Sequence, residues 1–171
     1  MHNDALTSKP IPLKSILPHS ENLTAERPSF VTHLECAMTG ERYPADEPHN
    51  LSRAGKPLLV RYDLEGVKRA LSKDALARRP PDLWRYRELL PVRRAQDILS
   101  LGEAVTPLVE LPRLAAKLGV EDILVKDEGR LPTGSFKARG LALAVSMAKE
   151  LGVTHMAMPT NGNAGSAMAA Y

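Results

Sequence analysis

The chain has 171 residues, 43% of them hydrophobic, which suits one folded domain with a sizeable core and not a disordered polymer. A net charge of +3 and 4% aromatic residues leave little of the basic, aromatic-interleaved surface that non-specific nucleic-acid binders use, so small anionic ligands are the better expectation. A single cysteine, Cys36, excludes an internal disulfide framework and suits a reducing compartment such as the cytoplasm.

Residues 1–30 mix charged, proline and polar positions with no continuous apolar core, and are read as a flexible amino-terminal segment, not a cleavable signal. No apolar run of about 18 residues occurs, so nothing reads as membrane-spanning. Ten of the fourteen prolines fall in the first 91 residues and push that part toward turns and short elements. The stretch RPSFVTHLECAMTGERYPADEP predicts a short strand pair around Met38 to Glu41, and KPLLVRYDL a further strand after Pro57. Residues 31–63 therefore read as a small β appendage. From Leu64, apolar Leu64, Val67, Leu71 and Leu76 predict one surface helix ending at Pro80-Pro81, the first part of a helical connection over 64–105.

From Thr106 the pattern turns regular: TPLVELPRLAAKLGV, a strand DILVKD, a helix from about Gly134 to Leu151, a strand HMAMPT, and a helix from about Ala164. That β-α-β-α order predicts an α/β fold with a parallel sheet flanked by helices and ligand loops at the strand ends. In the central helix Phe136, Gly140, Leu141, Ala144, Val145, Ala148 and Leu151 share one predicted apolar face, which puts Lys137 in the first turn. The final AGSAMAAY has no capping glycine and no following strand, so the α/β unit of 106–171 is expected to be incomplete, interrupted at Tyr171.

Two chemistries place a lysine at a strand-to-helix turn. Gly129 and Gly134 have the spacing of a nucleotide-hydrolase phosphate loop, but that motif needs the lysine directly after the second glycine, and here Ser135 and Phe136 intervene. Two positions rotate a side chain by about 200° around a helix, away from phosphates at its N-terminus. The other chemistry is covalent: a first-turn lysine feels the positive end of the helix dipole and, beside Phe136, an apolar surrounding, both of which favour the free amine that attacks a carbonyl. A solvated surface lysine is the plain alternative. The loop PTNGNAG then brings Thr160, Asn161, Gly162, Asn163 and Ala164 to a helix start, where backbone amides suit a carboxylate and the Asn163 amide can donate to an oxygen.

PTGSFKARG followed by PTNGNAG resembles the fold-type II family of pyridoxal-phosphate enzymes, and LWRYRELLPV, TPLVELPRLAAKLG and VKDEG are similar to the threonine synthases within it. The resemblance covers residues 31–171. It implies pyridoxal 5'-phosphate as cofactor, with Lys137 carrying it as a Schiff base and shuttling protons. It further implies that Asn163 holds the cofactor's ring oxygen, that Thr160, Asn161, Gly162, Asn163 and Ala164 bind the substrate carboxylate, and that Phe136 supplies apolar packing. The implied substrate is a small amino-acid phosphoester, O-phospho-L-homoserine, converted with water to L-threonine and phosphate, a carbon-oxygen lyase reaction. A serine or threonine dehydratase or a cysteine-synthase-like enzyme is the neighbouring expectation, and a non-catalytic binding module the one from another class. The complete enzyme could self-associate; neither nucleic acid nor membrane is an expected partner. The family's phosphate-binding glycine loop would follow position 171, so residues 1–171 alone are expected to be inactive.

Two departures stand out. Leu131, preceded by Arg130, occupies a place where such enzymes carry asparagine. Relatives also have two Cys-x-x-Cys-Gly knuckles before PLLVRYDL, where this chain has Cys36, Thr39, Gly40 and then Leu51, Ala54, Gly55. With one of four thiolates left, no structural zinc is expected, despite the nearby His33.

Overall fold

The computed structural model describes residues 26–171. Most of the expected amino-terminal flexible segment therefore lies outside the described residues. Within it, residues 26–30 run beside 88–94: Arg27 N donates to Arg93 O and Phe30 N to Glu88 O.

Strands β1 (Val31–Cys36), β2 (Arg42–Tyr43) and β3 (Leu58–Tyr62) form an antiparallel sheet in the order β2-β1-β3. Two turns with left-handed glycines, Gly40 (φ 72°) and Gly55 (φ 66°), close the ends of this unit. Cys36, 2% exposed, donates its thiol to Ser52 Oγ at 3.1 Å and accepts Thr39 N at 3.4 Å, while Ser52 Oγ accepts Lys56 N at 3.1 Å. The hydrogen bond with Ser52 above all, then those with Thr39, holds the Cys36 thiol down at about 7. Ser52, and not Leu51 as the knuckle register implied, is thus the residue that faces Cys36; Leu51 is exposed. A hydrogen-bonded thiol-hydroxyl pair joins the two turns.

The helix expected from Leu64 is two helices. Asp63 caps α1 (Leu64–Ala70) by accepting Gly66 N, and Ser72 caps α2 (Lys73–Arg78) by accepting Ala75 N. A serine that bonds the backbone three residues on starts a new helix, and the apolar spacing across it hides the break. Arg79 then grips the buried Glu88 with both guanidinium ends, at 2.8 and 2.6 Å, which keeps the Glu88 carboxyl below its usual range. Trp84, Val92 and Ala95 form core beneath these turns, and the fully buried Glu103 accepts Ser100 Oγ, Leu101 N and the Tyr171 hydroxyl.

Strands β4 (Leu108–Glu110) and β5 (Leu124–Lys126) pair antiparallel, with Val109 opposite Val125, and α3 (Pro112–Leu118) lies between them. The expected parallel sheet is absent among the described residues. Its cause is local: Pro112 starts α3 at once, Gly119 ends it in the left-handed region (φ 68°), and the reversed chain brings Ile123 O back to Leu111 N at 3.0 Å. The helix is an insert in a hairpin, not a crossover. Residues 155–160, expected as a strand, form no strand pairing among the described residues.

Helices α4 (Lys137–Glu150) and α5 (Asn163–Ala170) pack together through small side chains. On α4 the buried line is Ala138, Ala142 and Ser146, and on α5 it is Ala167. Ser146 Oγ also accepts Leu99 N at 2.8 Å. The apolar face predicted for α4 is not this one: Phe136 is 60% exposed, and Gly140 and Ala144 are exposed. What packs on α4 is α5 and the segment around 95–99, and only small residues let backbones approach that closely. No helix among the described residues is long and apolar enough to cross a membrane.

Candidate active site

From the end of β5 the chain makes two 3-10 turns, Glu128–Arg130 and Pro132–Gly134, before α4 begins. The second turn is unusual. Thr133 (φ 66°, ψ 9°) and Gly134 (φ 70°) are both left-handed, and only the second is a residue for which that conformation is unstrained. Ser135 follows, buried, its Oγ accepting Lys137 N at 3.4 Å. Lys137 is the first residue of α4, half-buried, with Nζ 4.8 Å above the centre of the Phe136 ring. Phe136, itself exposed, thus offers the lysine a ring face that attracts a cation and not the apolar surrounding expected from sequence. Among the described residues no carboxylate pairs with Lys137.

The second loop stands against the first, since the Pro132–Gly134 turn packs on α5. Thr160, Asn161 and Gly162 are exposed in the loop, Asn163 is the exposed first residue of α5, and Ala164 is half-buried in its first turn. Gly162 has φ 122°, open to glycine alone. Thr160 Oγ1 accepts Gly162 N at 3.0 Å and Gly165 N at 2.8 Å. A hydroxyl whose lone pairs are taken by two amides still has its proton to donate, so Thr160 can offer a hydrogen bond to an anion at the helix start. The first-turn amides of α5 add donors with no acceptor inside the helix. A carboxylate or a ring oxygen fits there, and the half-buried Lys137, with no carboxylate partner among the described residues, leaves its Nζ available to an aldehyde. Leu131, the departure noted above, is buried, so its place is one of packing.

Sequence reasoning missed the cluster that ties these pieces together. Arg139 donates from Nε to Glu128 Oε2 at 2.7 Å and from Nη2 to Glu128 Oε1 at 3.1 Å, and also reaches Ala104 O at 3.0 Å. Thr106 Oγ1 donates to Glu128 Oε1 at 2.5 Å, and Lys126 Nζ lies 3.8 Å from the same oxygen. Arg139 above all, then Thr106, holds the Glu128 carboxyl down at about 2. The signal available in the sequence was an acid and a base, Glu128 and Arg139, flanking a turn rich in glycine and proline.

Comparison with known proteins agrees with this chemistry. Residues 99–171 match the family described as pyridoxal-phosphate dependent enzyme. The chain is 40% identical over 136 residues to the threonine synthase of Methanocaldococcus jannaschii, covering 80% of this chain and 34% of that protein. It is 39% identical over 140 residues to that of Methanosarcina acetivorans, covering 81% and 34%, and 46% identical over 89 residues to that of Halalkalibacterium halodurans, covering 52% and 25%. The chain spans about a third of the length of the first two of these curated relatives. The matched residues 99–171 hold both loops and Lys137, so this part of the chain is similar to the pyridoxal-phosphate dependent enzymes, and the chain is similar to a portion of the threonine synthases.

Proposed function

We propose that the chain is the lysine-bearing amino-terminal portion of a threonine synthase that makes L-threonine and phosphate from O-phospho-L-homoserine and water. The observation that carries the reading is the pairing of Lys137, free of any acid partner among the described residues, with an amide-rich helix start across the Pro132–Gly134 turn. Pyridoxal phosphate, when bound, supplies the electron sink for carbanions at substrate carbons. Lys137 holds it covalently and moves protons through Nζ. Asn163 donates its side-chain amide to the ring oxygen, and Thr160 with the amides of 161–164 holds the substrate carboxylate, which fixes the orientation of the bond that breaks. The reading places the enzyme in the cytoplasm, where the Cys36 thiol stays reduced.

The test uses the complete gene product and its Lys137→Ala variant. The variant is expected to lose threonine formation and, after incubation with pyridoxal phosphate and borohydride, to lack the cofactor mass that wild type carries on the peptide containing residue 137. Normal turnover in the variant would refute the assignment.

A further inference from the structure

A lysine has four flexible side-chain bonds, so where its amine can work depends on how firmly its backbone is placed. Lys137 lies inside a segment whose two ends, Glu128 and Arg139, are joined by a two-point ion pair. Inside that closed segment sits Thr133 in the left-handed region, a conformation that a β-branched residue keeps only where its surroundings over-determine it. The over-determination is visible. Glu128 is gripped by Arg139 and Thr106, Arg139 reaches on to Ala104 O, and Lys126 Nζ donates to Thr106 O at 3.1 Å. Residues 104–106, the end of β5 and the first turn of α4 are thereby clamped to one another.

We propose that Thr106, Glu128 and Arg139 are positioning residues for Lys137: their cluster holds the strained Pro132–Gly134 turn closed and fixes the first turn of α4, so that the amine is presented to the cofactor's aldehyde carbon. This rests on the reading that Lys137 carries the cofactor. Arg139 cannot be exchanged for lysine in this role, because a single ammonium cannot span both carboxylate oxygens and Ala104 O together. Thr133 is the load that the clamp holds, and a glycine there removes the load.

The experiment measures, by borohydride reduction and peptide mass spectrometry, the share of trapped pyridoxal phosphate found on Lys137 against the other lysines of the full-length protein, at a cofactor concentration below saturation. Wild type is expected to concentrate the label on Lys137. Glu128→Gln and Arg139→Lys are expected to lower that share about ten-fold and Thr106→Val about three-fold, with melting curves that remain cooperative. Adding Thr133→Gly to Glu128→Gln is expected to return most of the selectivity without restoring the ion pair, a rescue that a merely stabilising role in the clamp does not produce at Lys137 over other lysines. Unchanged selectivity in both Glu128→Gln and the milder Thr106→Val would overturn the proposal, as would failure of the Thr133→Gly rescue. A wild type that never labels Lys137 would instead overturn the reading beneath it.

Discussion

Replacing Gly165 with alanine sets two physical effects of opposite sign against each other. Gly165 lies in the first turn of α5, where alanine is favoured over glycine by about 1 kcal/mol on helix propensity alone. A Cβ at this place, however, would sit 2.7 Å from Thr160 Cγ2 and 3.3 Å from its Oγ1. Thr160 cannot yield freely, because its Oγ1 holds Gly162 N and Gly165 N. If it turns away it gives up two hydrogen bonds, roughly 2 kcal/mol together; if it stays, crowding costs about 1–3 kcal/mol. Either route outweighs the propensity gain by about 1 kcal/mol, which for a unit of 150–250 residues lowers Tm by about 2–4 °C. Thermal melting of Gly165→Ala reads this directly. Thr160→Ser removes Cγ2 and keeps the hydroxyl, so the double variant Thr160→Ser/Gly165→Ala is expected to melt at or above wild type. A single variant Gly165→Ala that melts higher than wild type would refute the contact as drawn.

Asn163→Ala is expected to leave stability within about 0.5 kcal/mol, since the side chain is exposed, yet to weaken cofactor binding or turnover by roughly 1–3 kcal/mol, checked by denaturation beside a cofactor titration. Glu128, whose folded pKa is lowered from 4.5 to about 2, contributes stability that is fully present above pH 4.5 and is lost as the pH falls toward 2. The nominal shift corresponds to about 3 kcal/mol, but with 24% and 27% of the two side chains exposed solvent screening reduces it to about 1 kcal/mol; Glu128→Gln should flatten the acid limb of a stability profile by that amount. Ser52→Ala removes the acceptor for the Cys36 thiol and for Lys56 N and is expected to cost about 1–2 kcal/mol in urea unfolding.

Local punctuation made much of the secondary structure legible. Pro57 announced β3, and the glycines of PTNGNAG announced the start of α5 within one residue of Asn163. What sequence could not separate was a crossover from a hairpin with a helix inserted, because both read as strand, helix, strand. Gly119 and the few residues to Ile123 decide it, by turning the chain back before it can pass over the sheet. The face of α4 was misread for a related reason: periodicity ranks residues by hydrophobicity, whereas the side chains that α4 buries, Ala138, Ala142 and Ser146, are small. At the site, Lys137 and the Thr160–Ala164 loop were visible as residue types in order. The Glu128–Arg139 pair was not, because its geometry depends on a threonine held in the left-handed region, where local rules do not put it.

The two loops differ in how they are held. Helix α4 is fixed at both ends. At its start Arg139 is bound to Glu128 and Ala104 O; at its end Glu150 accepts Arg93 N and Arg94 N at 2.8 and 2.7 Å, and Lys149 Nζ donates to Gln96 O at 2.8 Å. A lysine on such a helix keeps its backbone in place while its amine reacts. The Thr160–Asn163 segment is exposed, and the side-chain hydrogen bonds found in it run from Gly162 N and Gly165 N to Thr160, within the loop itself. On the proposed reading, a substrate carboxylate that meets the amides of 161–164 and the Thr160 proton disturbs hydrogen bonds within the loop alone, so its binding reorganises a few residues and leaves the ties of α4 in place. On the proposed reading, a fixed amine beside an adaptable anion cradle lets substrate come and go while the residue that would carry the cofactor stays where it is.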